Sequence, residues 1–181
     1  MKTRLEFPAL LIGMGLNGRG AEIGVLFGEY STHLLANWPG TLILVDPWIN
    51  QDPDVYLDGC NAVSMNRAMK RAMEAVSPFI NRVEVIRDYS VEAAQRVPDN
   101  SLDWVYLDGN HALESVRSDI SVWWPKVRSG GIIAGHDYYE RHDAYQSCGV
   151  KQAVDEFAAA SGLKLNLTTD DTPNSWWFVK P

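Results

Sequence analysis

The sequence AEIGVLFGEYS at residues 21–31 is typical of a short buried strand that runs into a glycine turn and then into a helix. We expect the strand over residues 20–25 and the helix from Glu29 onward. Gly24 and Gly28 lie four residues apart, and glycine lets a ligand approach the bare backbone beside the N–H groups of a helix start. The pattern therefore predicts the first strand–helix unit of a nucleotide-binding sheet.

Further apolar runs follow this unit and alternate with helical patterns. Residues 41–45, TLILV, form an uninterrupted aliphatic run, which is typical of a strand buried on both faces. The other predicted strands are 83–86, 102–107, 132–135, 163–168 and 176–179. This alternation predicts an α/β, Rossmann-like fold with a seven-stranded mixed sheet. Five parallel βα units would precede a C-terminal antiparallel hairpin, with helices on both faces of the sheet.

Helices are predicted between the strands from their apolar periodicity and end signals. Their expected bounds are 61–76, 91–97, 113–127 and 150–160. We expect Ser90 to cap the second of these helices, and Pro125 to end or kink the third. Ser129-Gly130-Gly131 predicts a turn before the fifth strand.

The bulk composition indicates a single domain over residues 1–181, with residues 1–17 as an N-terminal extension. A formal charge of −7 disfavours non-specific binding to nucleic acid or to an anionic membrane. The sequence has no apolar run near the ~18 residues that a transmembrane helix needs. The two cysteines, Cys60 and Cys148, show no metal-ligand spacing. A reducing compartment is the simplest setting for so few cysteines, so we expect a cytoplasmic location.

Acidic and imidazole side chains stand where the predicted strands end. In an open α/β sheet, ligands bind outside the carboxyl ends of the strands. Carboxylates that converge there repel one another, so we expect them to hold a cation, a hydroxyl-rich ligand or both. These strand-end residues are Glu22, Asp46, Asp88, Asp108, His111, His136 and Asp137.

Asp46 lies about 20 residues after the first glycines, where a carboxylate can accept hydrogen bonds from ribose hydroxyls. The alternative is a plain strand-end acid that holds a loop. A dinucleotide-binding turn requires the pattern Gly-x-Gly-x-x-Gly. Here bulky side chains at residues 25–27 separate Gly24 from Gly28. A nicotinamide-dependent oxidoreductase is therefore the less favoured interpretation.

Residues 22–28, EIGVLFG, resemble the acidic-x-Gly-x-x-x-Gly first motif of class I S-adenosylmethionine-dependent methyltransferases, and Asp46 matches the acid at the end of their second strand. Other segments are similar to a small bacterial subgroup related to sugar and macrolide O-methyltransferases. Those segments are 106–111 (YLDGNH), Asp119, 130–138 (GGIIAGHDY) and 149–157. The resemblance covers residues 18–180 and implies S-adenosylmethionine as the cofactor.

By this resemblance, one group of residues would bind the methionine end of the cofactor. Glu22 and Gly24 would face it, and Ser31 would lie near its carboxylate. Asp108 would lie under its amine and beside the methyl acceptor. The cofactor-binding residues implied in all are Glu22, Gly24, Gly28, Ser31, Asp46, Trp48, Asp88, Tyr89 and Asp108.

The resemblance also implies contacts at the nucleoside end of the cofactor. Asp46 would hold the ribose hydroxyls, and Trp48 or Pro47 would lie near the adenine. Asp88 and Tyr89 would border the adenine ring, with Asp88 accepting a hydrogen bond from its amino group.

Many relatives bind a divalent cation through acids at the ends of the fourth and fifth strands, where this chain has Asp108 and Asp137. His136 stands where those enzymes have a second metal carboxylate. Carboxylate oxygens suit Mg²⁺, and an added imidazole shifts the preference toward Mn²⁺. The sequence thus leaves open a metal site formed by Asp108, His136 and Asp137.

His111 is the favoured general base, acting together with Asp108. An imidazole titrates near neutral pH, where a proton acceptor is most effective. The relatives instead have an acid at the position of Asn110. The alternative is that His111 caps the following helix or hydrogen-bonds within its loop.

The sequence therefore predicts an S-adenosylmethionine-dependent methyltransferase that acts on a hydroxyl oxygen of a small molecule. The alternative from another class is a protein that binds S-adenosylmethionine or S-adenosylhomocysteine without methyl transfer. Aromatic residues in two loops could shape the acceptor pocket, and a homodimer could complete it. These residues are Trp48, Tyr56, Tyr138, Tyr139 and Tyr145.

Overall fold

The computed structural model describes residues 1–49, 64–139, 141–142 and 147–181. Most of the predicted loop over residues 49–60, including Tyr56, lies outside the described residues, as does Tyr145. The predicted start of a helix at Asn61 also lies outside them.

Seven strands form one mixed sheet. The strands of the chain are β1 (Arg19–Ile23), β2 (Thr41–Val45), β3 (Val83–Ile86), β4 (Leu102–Leu107), β5 (Val127–Gly135), β6 (Arg141–His142), β7 (Ser147–Cys148), β8 (Asn166–Leu167) and β9 (Trp176–Val179). The sheet order is β3-β2-β1-β4-β5-β9-β8, and β6 pairs with β7 separately. Strands β1 to β5 run parallel, whereas β9 is antiparallel to both β5 and β8. The predicted seven-stranded mixed sheet with a C-terminal hairpin is confirmed.

Helices cover both faces of this sheet. They are α1 (Phe7–Gly13), α2 (Glu29–Asn37), α3 (Met65–Val76), α4 (Ser90–Ala94), α5 (Leu113–Trp123) and α6 (Val150–Ser161). The buried side chains of α1, α2 and α3 belong to one core cluster, and those of α4, α5 and α6 belong to the other. None of the helices in the described ranges is long and apolar enough to cross a membrane.

Strand β4 shows how the sequence builds two cores. All six of its residues are buried, and successive side chains point to opposite faces of the sheet. Trp104 and Tyr106 pack under α1 and α2, whereas Val105 and Leu107 pack under α5. A central strand with helices on both sides must be apolar on both faces, which explains its continuous hydrophobic run.

The predicted N-terminal extension contributes to the core. Phe7 and Leu11 of α1 are fully buried, and Leu16 is 1% exposed. The ring of Phe7 lies 5.5 Å from that of Trp104 and 5.4 Å from that of Tyr106, centroid to centroid. The segment before β1 is therefore fixed against the sheet, and it brings Arg4 to the carboxyl end of β4.

Two local predictions were wrong. The turn expected at residues 129–131 lies inside β5, where an irregularity in its pairing with β4 accommodates the glycines. One of these, Gly130, has φ 75°, a conformation that glycine adopts without strain. Ser90 is the first residue of α4, and Tyr89 occupies the N-cap position. By contrast, α5 ends at Trp123, just before Pro125, as a proline stop predicts.

Candidate active site

A cavity of about 510 Å³ opens at the carboxyl ends of β1 to β4. The volume lies within the range of sites that bind small molecules and cofactors. Strand β1 pairs with β2 on one side and with β4 on the other, so this is the switch point where ligands of open α/β sheets bind. The predicted site residues on its wall are Glu22, Gly24, Asp46, Asp88, Tyr89, Asp108 and His111.

The glycine turn after β1 packs directly against the segment after β4. Gly24 has φ 90°, in the left-handed region that glycine tolerates. A Cβ atom at Gly24 would lie 2.2 Å from the carbonyl oxygen of Asp108, so no larger residue fits there. Gly28, with φ 76°, instead faces Ala72 of α3. Its role is close helix packing behind the wall, and its contact with a cofactor stays a prediction.

Asp46 fixes the glycine turn through its carboxylate. One oxygen accepts hydrogen bonds from the backbone N–H groups of Val25 and Leu26, at 3.0 and 2.9 Å. The other oxygen accepts one from the backbone N–H of Trp48 at 2.7 Å. A carboxylate offers about four acceptor positions, so a position remains for a ribose hydroxyl. The indole of Trp48 is buried and donates to the carbonyl of Leu26 at 2.9 Å, which places Trp48 behind the wall.

Glu22 forms part of the cavity floor and is only 1% exposed. The hydroxyl of Ser31 donates a hydrogen bond to its carboxyl at 2.5 Å. Burial raises the pKa of Glu22 to about 8, although the Ser31 hydrogen bond opposes the shift. The carboxyl is therefore mostly protonated at neutral pH. Ser31 itself is fully buried behind Glu22, away from the lining of the cavity.

The far end of the cavity is bordered by the segment after β3. Both oxygens of Asp88 are engaged, one with Arg96 at 2.5 Å and the other with the backbone N–H of Tyr89 at 3.0 Å. Tyr89 is half-exposed at the rim. The acceptor capacity that Asp88 would need for an adenine amino group is thus partly used within the protein.

A second acid, Asp119, lies on this wall, although the sequence analysis assigned it no role. Burial raises its pKa to about 6, while a hydrogen bond from Ser90 acts in the opposite direction. The hydroxyl of Ser90 in turn accepts a hydrogen bond from the indole of Trp123 at 2.9 Å. Asp119 lies inside α5 rather than at the end of a strand, so nothing in the sequence around it indicates that it reaches a cavity. The packing of α5 against α4 places it there.

An acid–imidazole cluster occupies the end nearest β5. Nε2 of His111 lies 3.1 Å from Oδ2 of Asp137 and 3.7 Å from Oδ1 of Asp108. Nδ1 of His136 lies 3.3 Å from the same oxygen of Asp137. Burial alone would raise the pKa of Asp137, but the His136 hydrogen bond and the charges of the two histidines outweigh it and lower that pKa.

The structure places His111, rather than His136, closest to the two acids of the metal site that the sequence left open. Among the described residues, the acids and imidazoles close enough to share an ion are Asp108, His111 and Asp137, whose ligand atoms all lie within 4.8 Å of one another. His136 is not in this group and instead contacts Asp137 from the side. One nitrogen and two oxygens suit Mn²⁺ better than an all-oxygen magnesium site.

Arg4 is a residue of the site that the sequence analysis missed. Its Nη1 lies 3.1 Å from Oδ2 of Asp108, and its side chain is on the cavity wall. A single arginine in a segment expected to be an extension carries no motif. The one indication in the sequence is indirect, because a wall with this many acids calls for a compensating cation.

Comparison with known proteins agrees with this geometry. A family model described as "Methyltransferase domain" matches residues 21–138, which is more than half of the chain. An uncharacterized protein of Sinorhizobium fredii, y4gI, is 28% identical over 89 residues, which are 49% of this chain and 10% of that protein. The chain therefore spans about a tenth of the length of the curated relative that it matches.

Solved structures share the fold. An O-methyltransferase from Bacillus cereus, in complex with SAH, superposes with a TM-score of 0.68 at 14% identity, covering 98% of this chain and 80% of that chain. The O-methyltransferase NovP gives 0.63 at 23% identity, with 98% and 79% covered. Cofactor-bound Rv0187 from MTB gives 0.70 at 17% identity, with 97% and 78% covered. With the family match over its sheet and glycine turn, the chain belongs to the methyltransferase-domain family and has the class I methyltransferase fold.

Proposed function

We propose that the protein transfers a methyl group from S-adenosylmethionine to a hydroxyl oxygen of a small molecule. One observation carries the proposal: the glycine turn at Gly24, the acid Asp46 and the pair Asp108 and His111 all line one cavity. The O-methyltransferases with the same fold, one of them in complex with SAH, support it.

The residues on the wall fit such a cofactor. Gly24 presents backbone without a side chain, and Asp46 keeps an acceptor position toward the cavity. Asp108 offers a carboxylate at the end of β4, where the resemblance places the amine of the methionine part. When bound, S-adenosylmethionine supplies a methyl group on a positively charged sulfur, which is already activated for transfer.

The protein must then align the acceptor oxygen and remove its proton. The imidazole ring of His111 is the group that we assign to accept this proton, as the bond from oxygen to the methyl carbon forms and the bond from carbon to sulfur breaks. Oδ2 of Asp137 and Oδ1 of Asp108 lie 3.1 and 3.7 Å from its Nε2, where they hold an N–H. Both carboxylates stabilise the imidazolium that results, and Asp137 also orients the ring.

A second candidate is the same transfer with a bound divalent metal. The arrangement of Asp108, His111 and Asp137 within 4.8 Å favours it. A metal there would lower the pKa of an acceptor hydroxyl. The two versions exclude each other at one atom, because Nε2 of His111 cannot hold both a metal and a proton. Equal methylation rates with chelator and with added Mn²⁺ would leave the metal-free version standing.

Calorimetric titration with S-adenosylhomocysteine tests the cofactor half of the proposal. We expect one binding site per chain, and no binding of NAD⁺ because bulky side chains separate the two glycines of the turn. Absence of S-adenosylhomocysteine binding at millimolar concentration would overturn the proposal.

The transfer half needs an acceptor. Release of S-adenosylhomocysteine is measured with panels of phenols, catechols and sugar hydroxyls, each against a no-acceptor control. Acceptor-dependent release supports an enzyme. Cofactor binding with no release across all panels would favour the binding protein without transfer activity.

A further inference from the structure

Most of the charged side chains that line the cavity are acidic. Its lining acids are Glu22, Glu29, Asp46, Asp88, Asp108 and Asp119. Among the lining residues that the structure describes, Arg4 is the one lysine or arginine. Among the described lining residues, Arg4 is therefore the permanently cationic side chain that an anionic group of a ligand can meet.

The position of Arg4 is fixed by its backbone. Its N–H donates to the carboxylate of Asp171 at 2.6 Å, and its carbonyl accepts from the hydroxyl of Tyr30 at 3.1 Å. Its guanidinium carbon lies 4.9 Å from the ring centroid of Tyr30. Just beyond it, Phe7 anchors α1 in the core. The guanidinium is thus held at the cavity by contacts from three parts of the chain.

The charges of Arg4 and Asp108 stand side by side. Nη1 and Oδ2 are 3.1 Å apart, and the two side chains are 32% and 21% exposed. Such a pair presents a positive and a negative group next to each other. An α-amino acid carries an ammonium and a carboxylate on one carbon, which is the complementary arrangement.

Ser31, which the resemblance implies near the methionine carboxylate, does not line the cavity. Ser31 is fully buried and donates its hydroxyl to Glu22. Burial raises the pKa of Glu22 to about 8, so Glu22 adds little negative charge that would compete for a cation at neutral pH. A carboxylate in the cavity would therefore meet the lining residues, Arg4 among them, rather than Ser31.

We propose that Arg4 and Asp108 together bind the zwitterionic amino-acid end of the cofactor, with the guanidinium on the α-carboxylate and the Asp108 carboxylate on the α-ammonium. This inference rests on the proposed function. It assigns a binding role to the segment before β1. The planar guanidinium, with its several donors, suits two-point binding of a carboxylate better than a lysine ammonium does.

Two ligands separate this role from a general effect on the site. S-Adenosylhomocysteine carries the carboxylate, and S-adenosyl-3-thiopropylamine is the same thioether without it. For Arg4→Gln, we expect the affinity for S-adenosylhomocysteine to fall roughly ten- to a hundredfold, as for loss of a charge-assisted hydrogen bond. The affinity for the amine should stay the same or rise, because Arg4 no longer competes for Asp108.

Arg128→Gln is the matched control variant. Arg128 also pairs with a mostly buried aspartate, Asp103, at 2.7 Å, but it is absent from the cavity wall. It should leave both affinities unchanged. Calorimetry on the full chain, with thermal unfolding of each variant, gives the measurements.

Different results would refute the role of Arg4 and the proposed function. Equal losses for both ligands in Arg4→Gln, or no loss for S-adenosylhomocysteine, would overturn the role of Arg4 while the proposed function stands. If the wild-type chain binds neither ligand, the proposed function itself fails. Should Arg4→Gln not fold, the wild-type chain decides: S-adenosylhomocysteine must bind at least roughly tenfold more tightly than the amine, and comparable affinities refute the inference.

Discussion

Glu22 is a buried acid whose proton links stability to pH. Its pKa is about 8 in the folded protein, against 4.5 for an ordinary glutamate. Between these values the folded chain keeps a proton that the unfolded chain has lost. The free energy of unfolding therefore falls as pH rises through this window, by about 1.4 kcal/mol per pH unit, and levels off above it.

Glu22→Gln removes this proton without changing the shape of the side chain. We expect the stability of the variant relative to wild type to increase steadily from pH 4.5 to about 8. Urea unfolding at several pH values measures it. Asp99→Asn is a suitable control, because Asp99 is exposed and distant from the cavity. Parallel curves for Glu22→Gln and wild type would show that Glu22 is ionised in the folded state.

His111 is the residue to which the proposed mechanism assigns the proton transfer. We expect His111→Gln to lower the methylation rate by roughly 10²–10⁴-fold, the usual contribution of a general base. The affinity for S-adenosylhomocysteine should change little. Asp137→Asn should lower the rate less, since it removes the orienting carboxylate but keeps the imidazole. Unchanged turnover in His111→Gln would assign the proton transfer to another group.

At single residues, the sequence predicts several of the acids and one imidazole that reach the cavity, but it misses Asp119 and does not predict how the groups pair. Strand ends point to one edge of the sheet, so Asp46, Asp108 and His111 are correctly placed by pattern alone. The partner of Asp137 depends on backbone direction after β5, where Asp137 itself has φ 54°. A left-handed residue without glycine leaves no signal in the sequence, and so His111 rather than His136 joins the two acids.

Helix α1 is the element that the sequence underestimates. It is seven residues long, and its partners Trp104 and Tyr106 lie about a hundred positions further along the chain. No local pattern reports such a contact. The strands are easier to predict, because continuous apolar runs such as β2 and β4 indicate burial on both faces.

Phe7→Ala tests whether α1 is part of the folded core. Phe7 is fully buried and touches two aromatic rings, so the loss should cost about 3–5 kcal/mol of unfolding free energy. Leu5→Ala is the control: Leu5 is 58% exposed and should change stability by about 0.5 kcal/mol or less. Urea denaturation distinguishes the two. Similar small losses in both variants would mean that α1 detaches readily.

The whole molecule carries a net charge of −7, and most of the charged residues that line its cavity are acids. S-Adenosylmethionine has a positive, methylated sulfur, whereas S-adenosylhomocysteine has a neutral sulfur without that methyl group. The ratio of their affinities should therefore shift toward the neutral product as salt is raised, because screening weakens the attraction for the cation. Titrations at about 20 and 500 mM salt measure the ratio. A ratio independent of salt would show that the sulfur does not sense these charges.

The contact between Gly24 and the carbonyl of Asp108 limits how this protein can evolve. It joins the donor side and the acceptor side of the cavity through backbone, in a space that no Cβ atom can enter. In the proposed transfer, the distance from the methyl group to the base is then set by the sheet. We expect changes in residues away from this contact to leave that distance unchanged. We expect a change of acceptor to come from substitutions elsewhere around the cavity, while position 24 remains a glycine.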